Sequence, residues 1–481
     1  MTVAVMMCGD RLGAADRELL GGSSVDVVDG LCRQPEALAD LGEEVDGLVL
    51  VLHDSEIAQT EVQAQIRAGG LDPLGVPTLD AAEYEGDPDR LRVALAGAIA
   101  LAVAFPGSAP AHAKPVFSPR LTRRSLFTLP RPAYTAAPAI DQTICAAGDG
   151  CAFCVGVCPQ EAYSWVEGRI VYDKDACEPC GMCVTACPTG AITNPAATPA
   201  ALAAQIEAMA VAASGPAGIV FRCRRAERQT IAGGWQIVEV PCTGMVTAAW
   251  VLAPLLLGAA QVAVLRCSEV GCDLRLDRPA EEAVGFASDL LSAFGIGADR
   301  VALTPGPLVH EPLPVVPVDD PFGPRSAARV YGGLRAVADS NVDDAVGAAA
   351  MLGVVTIDPA TCTMCTMCVQ MCPTDALKGS YTEDGLLRIT FDSVDCTACD
   401  QCVGVCPEVE RGAIVVDHRV DFAVLAAGRV ELNRSATHRC ERCGQPVAPT
   451  AMMDRIGDLL GDEPALMQQL TRLCLACRGV S

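Results

Sequence analysis

The sequence predicts a multidomain protein of mixed α/β and α+β class. It contains two small parallel-sheet α/β domains, two cysteine-rich modules that repeat one another, and a short C-terminal tail built on cysteine knuckles. Three observations lead there. Short apolar runs alternate with helical patterns over residues 1–106 and again over 200–304, as strands and crossover helices do. Residues 141–195 and 356–418 carry the same cysteine pattern. From residue 436 to 481 two further C-x2-C pairs stand about thirty residues apart.

Composition narrows the chemistry. Of 26 cysteines in 481 residues, 20 fall in C-x2-C-type clusters. Such runs suit metals better than disulfides, whose Cα geometry rarely joins close neighbours on one loop. The formal charge of −24, from 59 acidic and 35 basic residues, argues against nucleic acid and anionic membrane surfaces as partners. The opening MTVAVMMCGDRLGAAD lacks the basic head and apolar core of an export signal. The string Thr122-Arg123-Arg124-Ser125-Leu126-Phe127 resembles a twin-arginine signal but follows a whole domain, with no apolar stretch behind it. Val93–Phe105 is too short to span a bilayer. Val246–Leu265, which contains Pro254, Gly258 and Gln261, reads as a buried helix, a turn and a strand entering Cys267. The expectation is a soluble, cytoplasmic chain without membrane insertion.

The elements follow in order. In 1–106 the runs TVAVMMC, VDVVDGLC, VDGLVLVLH and GVPTL read as strands of a small α/β domain, with Glu56–Ala68 a helix. Residues 107–140, rich in Pro, Arg and Ala, read as a linker packed over a surface. The first cysteine-rich module spans 141–195, the second α/β domain 200–304, and a Pro-rich linker 305–325. Residues 326–355 look helical and lead into the second module, so that 326–418 forms one domain. In the tail, 436–481, Met452–Leu460 and Ala465–Leu473 read as helices.

The cysteine spacing specifies a cofactor. Cys362-x2-Cys365-x2-Cys368-x3-Cys372-Pro373 is followed by Cys396-x2-Cys399-x2-Cys402-x3-Cys406-Pro407. In this bacterial dicluster pattern three thiolates wrap one [4Fe-4S] cluster and the fourth reaches the other. One cluster therefore takes Cys362, Cys365, Cys368 and Cys406; the other takes Cys396, Cys399, Cys402 and Cys372. In the first module Cys177-x2-Cys180-x2-Cys183-x3-Cys187-Pro188 is regular, whereas Cys145-x5-Cys151-x2-Cys154-x3-Cys158-Pro159 is three residues longer at its first gap. Gly148 and Gly150 suit a widened loop. One cluster is assigned to Cys145, Cys151, Cys154 and Cys187, the other to Cys177, Cys180, Cys183 and Cys158. The alternative is that Cys145 is not a ligand and its cluster holds three irons. Met364, Met367, Met371, Val155, Gly156 and Val157 are expected to line the loops and exclude water. Both modules are thus ferredoxin-like dicluster modules, four [4Fe-4S] clusters in all.

Four cysteines of the middle domain, Cys223, Cys242, Cys267 and Cys272, follow β-rich runs, so their loops should gather at one edge of a parallel sheet. Spacing alone leaves [2Fe-2S] and zinc open. The strings GIVFRCRR, IVEVPCTGMV and VAVLRCSEVGCDLR resemble the delta subunit of methyl-viologen-reducing hydrogenase. That resemblance implies a [2Fe-2S] cluster passing electrons to heterodisulfide reductase, with Ala226 standing where the family has another cysteine. The N-terminal domain, with Cys8 ending its first strand and Cys32 following its second, is similar to the start of the flavin-bearing subunit of heterodisulfide reductase. That family continues into a flavin domain, but Gly295-Ile-Gly297-Ala-Asp-Arg lacks the third glycine of a dinucleotide turn, so no flavin is predicted. Cys8 and Cys32 read as buried strand cysteines, with a cluster remnant or a redox pair as alternatives.

In the tail, Cys440-x2-Cys443-Gly444 and Cys474-x2-Cys477 form two knuckles, as in zinc ribbons. Structural Zn2+ is expected there; rubredoxin-type iron or another iron–sulfur cluster is the alternative. No nucleophile–base pair or phosphate loop is visible, so the chain reads as a non-catalytic electron-transfer subunit of an oxidoreductase. By the family resemblance its partners are other redox subunits: a hydrogenase, a formate dehydrogenase or a heterodisulfide-reductase-like flavoprotein, with a soluble ferredoxin or flavoprotein as carrier. A redox sensor or cluster-assembly protein, and a thiol–disulfide enzyme using Cys8 and Cys32, are the competing classes.

Overall fold

The computed structural model describes residues 3–8, 24–27, 31, 35–40, 45–53, 59–107, 111–115, 132–226, 231, 233–266, 274, 276–338, 342–460 and 472–478. These form a mixed α/β, multidomain arrangement of several small sheets. The chain divides into two compact units, Met1–Cys145 with Ala152–Asn341, and Ala146–Cys151 with Val342–Ser481.

In the first unit the N-terminal strands stand in the spatial order Ser24–Val27, Val3–Met7, Gly47–Leu52, Thr78–Asp80, all parallel. Every residue of Val3–Met7 and Gly47–Leu52 is buried, as central parallel strands require when both faces are covered. Alternate residues divide between two cores. Ala4, Met6 and Cys8 pack with Val62 and Ile66 of the helix Gln59–Ala68. Val3, Val5 and Met7 pack with Leu91, Ala94 and Ala98 of the helix Pro88–Val103. Cys8 is thus a buried strand-end cysteine, while Cys32 lies outside the described residues.

The helix Pro88–Val103 starts where Asp87 accepts a hydrogen bond from the Arg90 N–H (3.0 Å) and Pro88 fills the first turn. It contains most of the apolar stretch at Val93–Phe105; no helix among the described residues is long and apolar enough to cross a membrane. It packs on the helix Pro199–Ala212 of the middle domain. Gly97 permits the approach, since a Cβ there would stand 2.6 Å from Met209 Cε and 3.2 Å from the Gln205 carbonyl. Arg90 Nε donates to the Trp235 carbonyl (2.7 Å) and Arg92 to that of Ala212 (2.8 Å). Buried Arg222 pairs with Glu83 and with Glu239 (2.6 Å). The two α/β domains therefore share one unit.

Within residues 107–140 the strands Ala111–Pro115 and Pro132–Ala136 pair antiparallel. The second is held on Gln59–Ala68 by two Gln63–Tyr134 hydrogen bonds, each 2.9 Å, and by Arg67 over the Tyr134 ring. Of the described part of this segment, Pro132–Ala136 lies against that helix as one of two paired strands. The arginine string at 122–127 is outside the described residues.

The middle domain is a parallel sheet in the order Trp235–Val240, Gly218–Cys223, Gln261–Val264, Val301–Ala302. The helix Ala248–Leu256, a turn at Gly258 and the strand Gln261–Val264 follow the reading of Val246–Leu265. Residues 305–325 lack regular structure until the turns near 319, yet are fastened down: Trp250 Nε1 donates to the Phe322 carbonyl (2.9 Å), and the two rings meet edge to face at 5.5 Å. The expected linker is a strap. Among the described residues of 326–355 the α-helix covers Ala327–Val337, whose Val330, Tyr331 and Leu334 are buried in the first unit, and one 3-10 turn follows at Ala348–Ala350. Ala338 is extended, and Gly353–Ile357, with its run of Val, Val, Thr and Ile, is a strand of the second unit.

In the second unit Ile414–Asp421 pairs antiparallel with Asp344–Val346 and Gly353–Ile357, and Leu387–Phe391 lies between Leu377–Tyr381 and Val430–Ser435. The tail is a hairpin, Thr437–Arg439 with Pro446–Pro449, followed by the helix Thr450–Leu460. Most of the second expected tail helix lies outside the described residues. Gly150, at φ +87°, leaves room for Met371 Cε 2.6 Å from where a Cβ would stand.

Candidate iron–sulfur and metal centres

Each dicluster motif folds as its spacing requires. The x3 steps open short helices at Phe153–Val157, Met182–Ala186, Met367–Gln370 and Gln401–Gly404, and a proline follows each final cysteine. The x2 loops turn through left-handed residues. Met364 and Thr366 in one loop correspond to Ala398 and Asp400 in the next, and Thr366 and Asp400 correspond to Gly181 in the first module. N–H groups point at sulfur both within an x2 loop, where Met364 N lies 3.4 Å from Cys362 Sγ, and beyond the Cys-Pro steps, where Ala162 N lies 3.3 Å from Cys158 Sγ and Leu377 N 3.5 Å from Cys372 Sγ.

In two places a cysteine of one motif lies with three of the other. In the first unit a small cavity is lined by Cys158, Cys177, Cys180 and Cys183 with Tyr163 and Met182. In the second unit a small cavity is lined by Cys372, Cys396, Cys399 and Cys402 with Leu377 and Phe391. Cys362, Cys365 and Cys406 all act on Cys368 as neighbouring charges, which places the remaining second-module set together. The motif through Cys145, Cys151 and Cys154 is divided between the units, Cys151 falling in the second and Cys145, Cys154 and Cys187 in the first. Met364 is buried, but Met367 is 39% exposed and turns away from the lining role expected of it, because it occupies the first position of a short surface helix.

Burial and the neighbouring sulfurs push the thiols up, Cys183, Cys368 and Cys396 each to about 12 and Cys402 higher still. For Cys183 the Tyr163 hydroxyl, 3.3 Å from its sulfur, works against burial. Four largely buried thiols facing one another cannot all ionise unaided; iron would supply the positive charge that lets them, so the donor sets fit [4Fe-4S] clusters.

Cys223 ends its strand and Cys242 follows the adjacent parallel strand, so both stand at one sheet edge, and both are buried. Backbone N–H groups reach each sulfur, Arg225 N to Cys223 and Gly244 N to Cys242, both at 3.4 Å. Gln261–Val264 runs parallel to them, but Cys267 and Cys272 beyond it lie outside the described residues. This edge touches the Cys177–Cys183 loop. Arg224 donates to the Pro179 carbonyl (3.2 Å), Arg225 pairs with Glu178 (2.5 Å), and Gly181, at φ +81°, faces Met245 so closely that a Cβ would meet its sulfur at 2.5 Å. Neither these contacts nor the two tyrosines at the first-module cavity were picked out from sequence. Register between the repeats could have found the tyrosines, at five residues after Cys158 and five before Cys177.

In the tail the sulfurs of Cys440, Cys443, Cys474 and Cys477 lie within 4.8 Å of one another, with Cys443 and Cys474 3.6 Å apart. A tetrahedral zinc would hold thiolates about 3.8 Å apart. N–H groups of Cys474, Cys443 and Arg442 pull the Cys440 thiol down to about 6, toward the form a metal needs.

Comparison with known proteins agrees with this layout. The family model of the 4Fe-4S dicluster domain matches residues 148–191 and 361–410, and that of the methyl-viologen-reducing hydrogenase delta subunit matches 221–307. An uncharacterized ferredoxin of Methanocaldococcus jannaschii is 44% identical over 55 residues, 11% of this chain and 86% of that protein. The chain belongs to the ferredoxin family. With the delta-subunit match, this supports an iron–sulfur electron-transfer role for the chain. The family matches begin at residue 148, and neither supports the expected N-terminal likeness to the flavin-bearing subunit of heterodisulfide reductase.

Proposed function

We propose that the chain is an electron-transfer subunit of a soluble, cytoplasmic oxidoreductase complex. It carries four [4Fe-4S] clusters in two dicluster modules, a [2Fe-2S] cluster on Cys223, Cys242, Cys267 and Cys272, and a structural zinc on Cys440, Cys443, Cys474 and Cys477. Its partners are a hydrogenase, a formate dehydrogenase or a heterodisulfide-reductase-like flavoprotein at one end and a one-electron carrier at the other.

The observation that carries this reading is the seam between the Cys177–Cys183 loop and the Cys223/Cys242 edge. A cluster on the first would lie beside a cluster on the second, so the middle domain is a junction rather than a separate centre. The chain's residues supply thiolates, exclude water and fix spacing; no substrate is bound or transformed. Anaerobic purification from the native host, with identification of co-purifying chains, tests the assignment. Redox subunits that are reduced or oxidised in step with this chain are expected. A chain that purifies alone and passes no electrons to any flavoprotein or ferredoxin offered to it would overturn it.

A further inference from the structure

The two modules offer an internal control. Tyr163 follows Cys158 by five residues, as Leu377 follows Cys372, and Tyr172 precedes Cys177 by five, as Phe391 precedes Cys396. The fold makes these positions equivalent. Tyr163 pairs with Tyr172 at the open end of one antiparallel hairpin, and Leu377 pairs with Phe391 at the same place in the other. The tyrosine rings stack at 5.0 Å, and both hydroxyls turn to ligand sulfur. That of Tyr163, buried, reaches Cys183 at 3.3 Å, and that of Tyr172 hydrogen-bonds Cys177. Leu377 and Phe391 fill the matching space in the second module with carbon only.

We propose that Tyr163 and Tyr172 are potential-setting residues. Their hydroxyls donate to two thiolates of the cluster on Cys158, Cys177, Cys180 and Cys183, and hold its reduction potential above the value the same cage would have with the second module's Leu and Phe. The inference rests on that cage holding a [4Fe-4S] cluster. The reasoning is electrostatic. Reduction adds one electron to the cluster, much of it felt at the sulfurs, and an O–H aimed at sulfur stabilises the more negative state. No bond to iron forms or breaks and no proton moves. Backbone N–H donors serve both cages, from Ala162 and Met182 in the first and from Leu377, Gly353, Ala398 and Gln401 in the second, so the proposal compares the first cage with and without its hydroxyls. The Thr397 hydroxyl stands near Cys399, at another corner of the second cage, where the first module has Glu178. The hydroxyls thereby favour an electron on the cluster that abuts the Cys223/Cys242 edge, relative to the same cage without them.

The test is a potentiometric titration of the full chain under anaerobic conditions, with dithionite as reductant and the cubanes followed by electron paramagnetic resonance. In the Y163F/Y172F double variant one cubane is expected to shift to lower potential, its reduced-to-oxidised ratio at fixed potential falling about tenfold, or ~59 mV for one electron. Iron content and the other cubanes should not change. Replacing the tyrosines with 3-fluorotyrosine keeps the rings and strengthens the donors, so the same cubane should shift the other way even if the phenylalanine variant folds poorly. Unchanged midpoints in iron-replete protein, or shifts of the same sign in both substitutions, would overturn the proposal. Wild-type protein with no cubane signal would instead refute the cluster assignment beneath it.

Discussion

The two dicluster modules share one cysteine frame and differ in what surrounds it. The first cavity is lined by Tyr163 and abuts a neighbouring domain through Glu178, Gly181 and Met182. The second is closed by Leu377, Phe391 and Val416, and the loop residue Asp400, at the position of Gly181, is exposed with its carboxylate 3.0 Å from His418. Three thiolates from one loop and a fourth from the other are sufficient to form the cage. What distinguishes the two cavities is residues that the cysteine spacing does not constrain, Glu178, Gly181 and Met182 between the cysteines and Tyr163 beyond them.

Three experiments sharpen that contrast. The largest effect should come from the frame itself. Cys177→Ser and Cys396→Ser should each cost one cluster, about four iron per chain, with no cross-effect on the other module. Equal loss from both modules in either variant would show that the modules do not fold independently around their clusters.

Next comes pH. Thiols held near 12 in the cluster-free fold bind protons more tightly than in the unfolded chain. Cluster-free protein should therefore be most stable below the ordinary thiol range and lose stability as pH rises above about 8.5. Loaded protein, whose sulfurs are already thiolates, should not show that loss. Anaerobic melting of both forms from pH 7 to 10 checks the sign, and parallel curves would contradict it.

The smallest effect separates the loops. Gly181→Leu forces a side chain onto Met245 and into a left-handed backbone, at a cost of about 1–3 kcal/mol, while Asp400→Gly should change stability by less than about 1 kcal/mol. Equal melting shifts would mean that the Gly181 seam carries no packing.

The cysteine frame was legible because its geometry is local: two-residue gaps wrap a cluster, and the x3-Cys-Pro step turns one sulfur away. The parallel sheets were legible for the same reason, as runs such as Val3–Met7 and Gly47–Leu52 are apolar on both faces. What escaped depends on partners distant in the chain. Gly97 gains its meaning only from Met209, Arg222 only from Glu83, and the 305–325 strap only from Trp250. The helical pattern of 326–355 was overread because Gly353–Ile357 finds its partner in Ile414–Asp421, about sixty residues later. At Cys440 and Cys474 the knuckles signalled a shared site, and the sulfurs do converge.

The most direct measurement of the account is iron, zinc and sulfide analysis of anaerobically prepared chain, combined with Mössbauer spectroscopy. Four cubanes predict about 16 iron in [4Fe-4S] form, with about two more from the middle site and about one zinc. Protein that binds only zinc at the dicluster cysteines, or stays colourless after reconstitution with iron and sulfide, would contradict it.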